Sequence, residues 1–448
     1  MLVPHNMKGQ TIGVLGLGGS GLAAVAALKA AGAHVFAFDD LKSQQDIPQI
    51  NLTSWRDWPW KELQAMVISP GIPHHYPVPH PAAAFANRQQ IPIISEVELA
   101  LRAKPKARLV AITGTNGKST TTALIGHCLR NAGFPVAIGG NLGDAACSLD
   151  DPGQHGTLVL ELSSYQLETT PSLKPSISIL LNISPDHLDR HGGMAGYVAA
   201  KTSVLDQLDK PGIAIIGAGD EHVQSLAKLT AARGIKTLIA SPDLAPISQK
   251  GSTALAGTHN AENAAAAALA LRAIGLDDQL INLGISSFTN LPHRLQRVAS
   301  CGKVQFINDS KATNGIAAAK ALTTFNDIYW VAGGLAKQDG LSPTLPYLST
   351  VKKAYLIGTA ALAFATSLSG ACPVAICDDL EKATRAAFND ACADPNGGTI
   401  LLAPAAASFD QFPNFGARGD AFAALAHDLC AAGYPQHRVT PRRRDNHA

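Results

Sequence analysis

Three stretches of the chain begin with a short apolar run that leads through a turn into a helical segment. The run 11–15 continues through Gly16-Leu-Gly-Gly-Ser-Gly21 into the alanine-rich segment 22–31. The run 109–113 leads through a second glycine turn, and the run 304–308 starts a third series. Strands that alternate with helices form mostly parallel sheets. The sequence therefore predicts an α/β protein.

The same pattern predicts three domains. Residues 103–107, Ala-Lys-Pro-Lys-Ala, have the composition of a linker, and the second series of strands ends near residue 290. We expect a Rossmann-like domain at 1–104, a central P-loop domain with a mostly parallel sheet at 105–290, and a Rossmann-like domain at 291–448. A chain of 448 residues with 46% hydrophobic residues can bury several cores.

Composition excludes some classes of protein. The formal net charge is +2, which argues against a basic nucleic-acid binder. The seven cysteines are odd in number and lack CxxC spacing, so no disulfide framework or zinc site is expected. No apolar run has the length of a membrane span. We therefore expect a cytoplasmic protein that binds no nucleic acid and does not insert into a membrane, with a solvated basic tail at 438–444. We also expect a monomer.

The segment 111–120, Ala-Ile-Thr-Gly-Thr-Asn-Gly-Lys-Ser-Thr, lies between a predicted strand and a predicted helix. This context indicates a phosphate-binding loop, because backbone N–H groups and a helix N-terminus attract polyphosphate. Lys118 supplies a positive charge, and the hydroxyl of Ser119 or Thr120 suits Mg²⁺. The loop departs from the usual spacing, since Ile112 stands where a glycine is expected and the loop glycine is Gly114.

The first glycine turn, Gly16–Gly21, is followed by Asp39 at the end of the next predicted strand. Glycines in this spacing with an acid about 20 residues further on form a dinucleotide-binding pattern. Any tight strand–helix turn near a phosphate needs the same glycines. A site for another nucleotide or a nucleotide-sugar is favoured, while an NAD(P) site and a purely structural turn remain alternatives.

Polar residues also end two predicted strands of the second series. Glu161 lies in the strand 157–162, and Asp186-His-Leu-Asp-Arg-His191 follows the strand 177–182. Ligands of parallel α/β sheets bind beyond the carboxyl ends of the strands, so both segments should meet the phosphate loop. Their oxygen and imidazole groups suit Mg²⁺ or Mn²⁺. Asp189 and Arg190 are expected to form a local ion pair.

Three further residues have two interpretations each. Asn263 stands near the start of an alanine-rich helix, where it either caps the helix or reaches a nucleotide. Arg294 and Asp309 flank the boundary into the third predicted domain. They either clamp a nucleotide when domains close or form ordinary surface ion pairs.

Together these segments resemble the Mur ligases, ATP-dependent enzymes that add amino acids to peptidoglycan precursors. The resemblance extends over almost the whole chain, and the segments 161–167, 308–314 and 401–418 resemble the branch that adds D-glutamate. It implies ATP, UDP-N-acetylmuramoyl-L-alanine and D-glutamate as substrates. ATP would phosphorylate the acceptor carboxylate, and the amine of D-glutamate would displace phosphate through a tetrahedral intermediate.

The resemblance also implies roles for individual residues. The residues implied in catalysis are Lys118, Glu161, His187, Lys201, Asn263 and Arg294. Two Mg²⁺ ions, or Mn²⁺, would be held by Ser119, Glu161, His187 and Lys201. Lys201 would be carbamylated, because a carbamate is an anion that can bind a metal ion, whereas a free ammonium group would repel it. ATP would contact Gly114, Thr115, Asn116, Gly117, Lys118, Ser119, Thr120, Asn263, Arg294 and Asp309.

For each of the other two substrates, the resemblance implies a separate set of contact residues. The UDP-sugar would contact Gly18, Ser20, Asp39, Ser69, Pro70, Gly71, Asn141 and His187, and D-glutamate would contact Thr313, Lys337, Ser408 and Phe415. Two positions depart from the family pattern. Asp40 and Leu41 follow Asp39, where the family often has a hydroxyl residue and a basic residue. Gln296 stands where the family usually has an acidic residue after Pro-His-Arg.

Three other functions fit part of the pattern. A folylpolyglutamate synthetase-like ligase shares the phosphate loop but lacks a first domain like 11–102. An NAD(P)-dependent oxidoreductase would leave the second loop and the pair His187 and Lys201 unexplained. A nucleotide-sensing module without activity would tolerate loss of Glu161, His187 or Lys201, and all three are present.

Overall fold

The computed structural model describes residues 1–246, 248–249, 255, 257–289, 291–336 and 340–432. It forms two compact units, Met1–Phe288 and Thr289–Ala448. Lys337 and the basic tail at 438–444 lie outside the described residues. The domain boundaries at 104/105 and 290/291 stay a prediction.

The first sheet of the first unit consists of four parallel strands. Its strands are β1 (Thr11–Leu15), β2 (His34–Phe38), β3 (Leu63–Ile68) and β4 (Ile93–Ile94), in the order β2-β1-β3-β4. The helices of this part are α1 (Gly19–Ala30), α2 (Pro81–Arg88) and α3 (Glu96–Arg102). The central strand β1 is buried along its whole length, as its apolar sequence predicts.

The second sheet of this unit has six parallel strands. They are β5 (Arg108–Thr113), β6 (Val136–Gly140), β7 (Thr157–Glu161), β8 (Ile177–Leu180), β9 (Ile213–Gly217) and β10 (Lys236–Ala240), in the order β10-β9-β8-β5-β7-β6. The accompanying helices are α4 (Lys118–Asn131), α5 (Ser164–Glu168), α6 (Met194–Asp206), α7 (Glu221–Ala232), α8 (Thr258–Ile274) and α9 (Asp278–Ser286). The carboxyl ends of β5, β7 and β8 therefore lie side by side.

The second unit contains a mixed sheet and a small antiparallel pair. The strands are β11 (Gln296–Cys301), β12 (Val304–Asn308), β13 (Ile328–Gly333), β14 (Leu335–Ala336), β15 (Val351–Ile357), β16 (Val374–Ile376), β17 (Gly398–Leu402) and β18 (Ala406–Ala407). The order is β11-β12-β17-β13-β15-β16, with only β11 antiparallel in this sheet, and β14 pairs with β18. The helices are α10 (Gly315–Leu322), α11 (Ala361–Ser367), α12 (Leu380–Ala393) and α13 (Phe415–Ala432). The predicted α/β class with mostly parallel sheets is confirmed.

Cysteine pairing differs from the sequence expectation. Cys301, at the end of β11, and Cys430, near the end of α13, form a disulfide. The sequence predicted no disulfide framework, and it did not indicate this pair because the partners are 129 residues apart and become neighbours only when α13 packs beside β11. The other five cysteines, Cys128, Cys147, Cys372, Cys377 and Cys392, are free thiols.

Within the described part of the chain, every helix is too short or too polar to cross a membrane.

Candidate functional site

The phosphate loop joins β5 to α4, as the sequence predicts. Gly114 and Gly117 adopt φ angles of +152° and +88°, which favour glycine. The side chain of Asn182, beyond β8, pairs with the loop like a backbone amide. The Asn116 N–H donates to Oδ1 of Asn182 at 2.9 Å, and Nδ2 of Asn182 donates to the Asn116 carbonyl at 3.0 Å. The neighbouring strand end therefore fixes the path of the loop.

Asn263 lies against this loop. A Cβ atom placed on Gly117 would be 2.2 Å from Oδ1 of Asn263. The residue stands beyond the first turn of α8, whose N-cap is Gly257, so it does not cap the helix. Of the two sequence-based interpretations, the geometry supports a position at the nucleotide loop.

We expect Gly117→Ala to weaken ATP binding, whereas Gly133→Ala should not. Both glycines have positive φ angles, +88° and +78°, so both substitutions carry a backbone cost of about 1 kcal/mol. Only at Gly117 would the new methyl group meet a neighbour, because the space around Gly133 is open. Calorimetric ATP binding and urea unfolding of both variants separate the two effects. Equal ATP affinities in the two variants would contradict the prediction.

Glu161 ends β7 as a buried carboxylate, 2% exposed. Its Oε1 accepts a hydrogen bond from Nδ2 of Asn141 at 2.8 Å. Its Oε2 is buried and has no hydrogen-bond partner among the described residues. An unpaired buried carboxylate oxygen is costly unless a cation or donor reaches it. The carboxylate thus fits a metal ligand, and Asn141, which the resemblance assigns to the UDP-sugar, here orients that carboxylate.

Two lysine side chains share one loop carbonyl. Nζ of Lys118 donates to the carbonyls of Gly114 and Thr115 at 2.8 and 2.9 Å. Nζ of Lys201, on α6, donates to the same Gly114 carbonyl at 2.9 Å. Lys201 is 2% exposed, and its Nζ lies 4.7 Å from the ring centroid of Tyr197. Two ammonium groups on one buried carbonyl repel each other.

Burial is the main cause that holds the pKa of Lys201 well below its usual range, and the charge of Lys118 adds to it. The carboxylates of Asp186 and Glu161 act in the opposite direction, which places them near this amine. Across the described residues, no group of three or more His, Cys, Asp or Glu side chains is arranged to hold a metal. A metal at this loop would therefore need further ligands besides the Glu161 carboxylate.

His187 lies on the loop after β8 in a left-handed conformation, with φ of +55°. Its side chain is 42% exposed, and Nε2 lies 3.6 Å from Oδ2 of Asp186. The expected ion pair between Asp189 and Arg190 is wrong. The Arg190 guanidinium instead donates to the carbonyls of Gly71 and Pro70, at 3.0 and 3.4 Å. The structure therefore brings the His187 loop and the Ser69-Pro-Gly71 turn together.

The glycine turn of the first sheet is built around Asp39. Oδ2 of Asp39 accepts from the Leu17 N–H at 2.6 Å, and the Ser69 hydroxyl donates to the Gly16 carbonyl at 2.9 Å. A Cβ on Gly21 would lie 1.9 Å from the Gly16 carbonyl oxygen, so the turn needs that glycine. Gly18 is the N-cap residue of α1, and Ser20 lies in its first turn. Asp39 and Ser69 therefore both hydrogen-bond to the turn that carries Gly18 and Ser20.

The two residues after Asp39, which depart from the family pattern, do not contact the glycine turn in the way that the next residue does. Asp40 pairs with Nε2 of His80 at 3.0 Å, and Leu41 is exposed. The next residue, Lys42, donates from Nζ to the Leu17 carbonyl at 2.6 Å. A basic side chain thus reaches the glycine turn from one position later in the chain.

In the second unit, Asp309 follows β12 and accepts from the Leu295 N–H at 3.1 Å. Burial raises the pKa of Asp309 to about 7, although the backbone hydrogen bond and the charge of Arg294 oppose the shift. Gln296, which replaces an acid, accepts from the His293 N–H at 3.0 Å. A neutral hydrogen bond therefore stands where the family pattern has an acidic side chain.

Arg418 organises the segments predicted to bind D-glutamate, and sequence reasoning missed it. It is 1% exposed, and its guanidinium donates to the hydroxyl and carbonyl of Ser310 and to the carbonyl of Ala406. The Ser310 hydroxyl in turn donates to the Phe415 carbonyl at 2.8 Å. Ser408 is buried two residues beyond Ala406. Only its place in the segment 401–418 could have drawn attention to Arg418, since nothing in the sequence marks it as buried.

Thr313 lies on the loop between β12 and α10, two residues beyond Lys311. Nζ of Lys311 lies 3.8 Å from the ring centroid of Phe415. Two of the predicted D-glutamate contacts, Thr313 and Phe415, are thus on neighbouring segments.

A glycine-bearing loop between a parallel strand and a helix, with a lysine folded over it, defines a P-loop nucleotide-binding protein. The sequence profile of the Mur ligase middle domain matches residues 112–245. The UDP-N-acetylmuramoylalanine--D-glutamate ligase of Rhodospirillum rubrum is 43% identical over 464 residues, which cover 96% of this chain and 97% of that protein. The protein of the same name from Paramagnetospirillum magneticum is 43% identical and covers 95% and 98%. The chain therefore belongs to the Mur ligase family.

Solved structures agree at the level of fold. The UDP-N-acetylmuramate-alanine ligase MurC of Thermotoga maritima has a TM-score of 0.59 at 17% identity, and the match covers 94% of this chain and 99% of that one.

Proposed function

We propose that the protein is an ATP-dependent ligase that joins D-glutamate to UDP-N-acetylmuramoyl-L-alanine in peptidoglycan precursor synthesis. The observation that carries the proposal is the 43% identity to a ligase of that name over 96% of the chain. The site supports it because the phosphate loop and the buried carboxylate of Glu161 lie at neighbouring strand ends, and the buried amine of Lys201 donates to the loop carbonyl of Gly114.

The reaction has two steps. The acceptor carboxylate attacks the γ-phosphorus of ATP, which gives an acyl phosphate and ADP. The amine of D-glutamate then attacks the acyl carbon, and the tetrahedral intermediate loses phosphate and a proton to give the amide. Lys118 and the N–H groups of the loop neutralise charge on the transferred phosphoryl group. Asn263 fixes the loop at Gly117, and Arg294 and Asp309 contact the nucleotide.

Bound Mg²⁺ would neutralise phosphate charge and orient the acceptor carboxylate. The residues that would hold the first ion are Ser119 and Glu161, whose Oε2 is buried without a partner. The residues for a second ion are His187 and Lys201. For Lys201 this requires carbamylation: its neutral amine attacks CO₂, an N–C bond forms and a proton leaves. The resulting anion would face Lys118 where the Nζ atoms of the two lysines now share the Gly114 carbonyl.

The remaining assignments form part of the same proposal. The UDP-sugar is bound by the turn and strand ends around Asp39, Ser69 and Asn141. D-glutamate is bound by Thr313, Ser408 and Phe415, with Lys337, and the enzyme acts as a three-domain monomer.

The test is phosphate release from ATP in the presence of Mg²⁺. We expect release only when D-glutamate and UDP-N-acetylmuramoyl-L-alanine are both present, with L-glutamate as the matched control. Release that depends on a folate and L-glutamate would indicate a folylpolyglutamate synthetase-like ligase. NAD(P)H turnover without phosphate release would indicate an oxidoreductase, and either result would overturn the proposal.

A further inference from the structure

The Tyr165 ring, on α5, contacts three side chains of the loop that carries His187. The Arg190 guanidinium carbon lies 4.5 Å from the ring centroid. The His191 ring stacks on Tyr165 with an interplanar angle of 8° at 5.3 Å, and the His187 ring lies 5.3 Å away at 56°. Stacked and cation–π contacts of this kind restrict the positions of both partners. The loop is therefore held on α5 by one aromatic ring.

His191 anchors the loop a second time. Its Nε2 lies 2.9 Å from the Ser164 hydroxyl, and its Nδ1 lies 2.9 Å from Oε1 of Glu168. Oε2 of Glu168 lies 3.5 Å from Nε2 of His74, a buried residue that follows the Ser69-Pro-Gly71 turn. Burial lowers the pKa of His74 to about 4, so this ring is neutral at physiological pH. Contacts through the Glu168 carboxylate thus connect the loop with the segment beyond the turn.

Arg190 makes the direct connection to the turn itself. Its two terminal nitrogens donate to the carbonyls of Gly71 and Pro70. Its backbone N–H donates to the His187 carbonyl at 3.0 Å, so Arg190 and His187 belong to one tight turn. Its Nε is buried and has no hydrogen-bond partner among the described residues. The cation–π contact of the guanidinium with Tyr165 offsets part of the cost of that missing hydrogen bond.

We propose that Arg190 is a positioning residue that couples the acceptor turn at 69–71 to His187. Binding of the UDP-sugar at the turn fixes the Pro70 and Gly71 carbonyls, the guanidinium follows them, and the shared backbone turn brings His187 to the acceptor carboxylate. The inference rests on the proposed function, because it assumes that the turn binds the UDP-sugar.

The experiment compares Arg190→Gln and Arg190→Lys with Arg233→Gln as the matched control. Arg233 is an exposed arginine of the same unit, paired with Asp206 at 2.5 Å. Calorimetry measures the Kd of UDP-N-acetylmuramoyl-L-alanine without ATP, and steady-state assays give kcat and the KM of each substrate. Thermal unfolding establishes that each variant is folded.

We expect Arg190→Gln to raise the Kd and KM of the acceptor about tenfold, the size of effect of one lost charge-assisted hydrogen bond. The KM of ATP should change less than about twofold, and kcat should fall because His187 is displaced. Arg190→Lys keeps the charge but not the fork that spans two carbonyls, so its Kd should lie between wild type and Arg190→Gln. Arg233→Gln should behave as wild type.

A double-mutant cycle tests the coupling. If Arg190 acts on kcat through His187, adding Arg190→Gln to His187→Ala should lower kcat no further. Independent, multiplying effects on kcat would overturn the proposal. So would a folded Arg190→Gln or Arg190→Lys variant with wild-type acceptor affinity, or an equal rise in the KM of both substrates. Failure of the wild-type protein to bind the acceptor would instead contradict the proposed function.

Discussion

Lys201→Ala is expected to lower kcat by about a hundredfold or more, the scale on which loss of one preorganised electrostatic group acts. The side chain is buried, and its amine shares the Gly114 carbonyl with Lys118. If the amine is carbamylated, the substitution removes an anion that holds a metal ion beside the acceptor carboxylate. If it is not, the substitution only relieves repulsion between two ammonium groups, and activity should be little changed.

Chemical rescue separates these cases. Formate or acetate can enter the space left by the side chain and supply a carboxylate, so we expect part of the activity to return in their presence. The same salts should not stimulate the wild-type enzyme or a Lys228→Ala control, which removes an exposed lysine of α7. Full activity of Lys201→Ala without added acid would remove this residue from the site.

Lys118→Met is expected to lower kcat by about a hundredfold to a thousandfold, because in the proposed reaction the ammonium group neutralises the charge that develops on the phosphoryl group. Its Nζ is already held over the loop by two carbonyls, so little rearrangement is needed when the phosphates bind. Methionine is similar in length and apolar, and it removes the charge without leaving a large cavity.

The matched control is Lys106→Met, an exposed lysine that precedes β5. Acceptor affinity, measured by calorimetry without ATP, should be unchanged in both variants, since the acceptor turn belongs to the first sheet. An equally large loss in Lys106→Met, or loss of acceptor binding in Lys118→Met, would indicate a general structural defect and contradict the assigned role.

Much of the fold could be predicted because its strands are continuous apolar runs. The segment 304–308 coincides with β12, and 109–113 differs from β5 by a single residue. The sequence did not predict strands β10 and β11. Each lies at the edge of its sheet and has exposed positions, so its sequence lacks the continuous apolar run of a buried strand. β6 was missed although it pairs with β7, since its Ala and Gly residues carry weak strand propensity.

The phosphate loop could be predicted because its chemistry is local, within ten consecutive residues. The roles of Arg190 and Arg418 could not, because each depends on carbonyl groups that are distant in sequence. Arg190 reaches a turn 119 residues earlier, and Arg418 reaches Ser310, 108 residues earlier. A charged residue in a sequence predicts a solvent-exposed or ion-paired side chain, and only the folded chain shows that backbone carbonyls take the place of an acid.

The amide of Asn182 holds both backbone groups of Asn116 as a strand neighbour would. The conformational entropy of the phosphate loop is therefore lost when the protein folds, at a cost of roughly 1–2 kcal/mol for each residue fixed, and not when nucleotide arrives. Nucleotide binding then bears less of this ordering cost. An enzyme built in this way releases ADP without having to refold its phosphate loop before the next turnover.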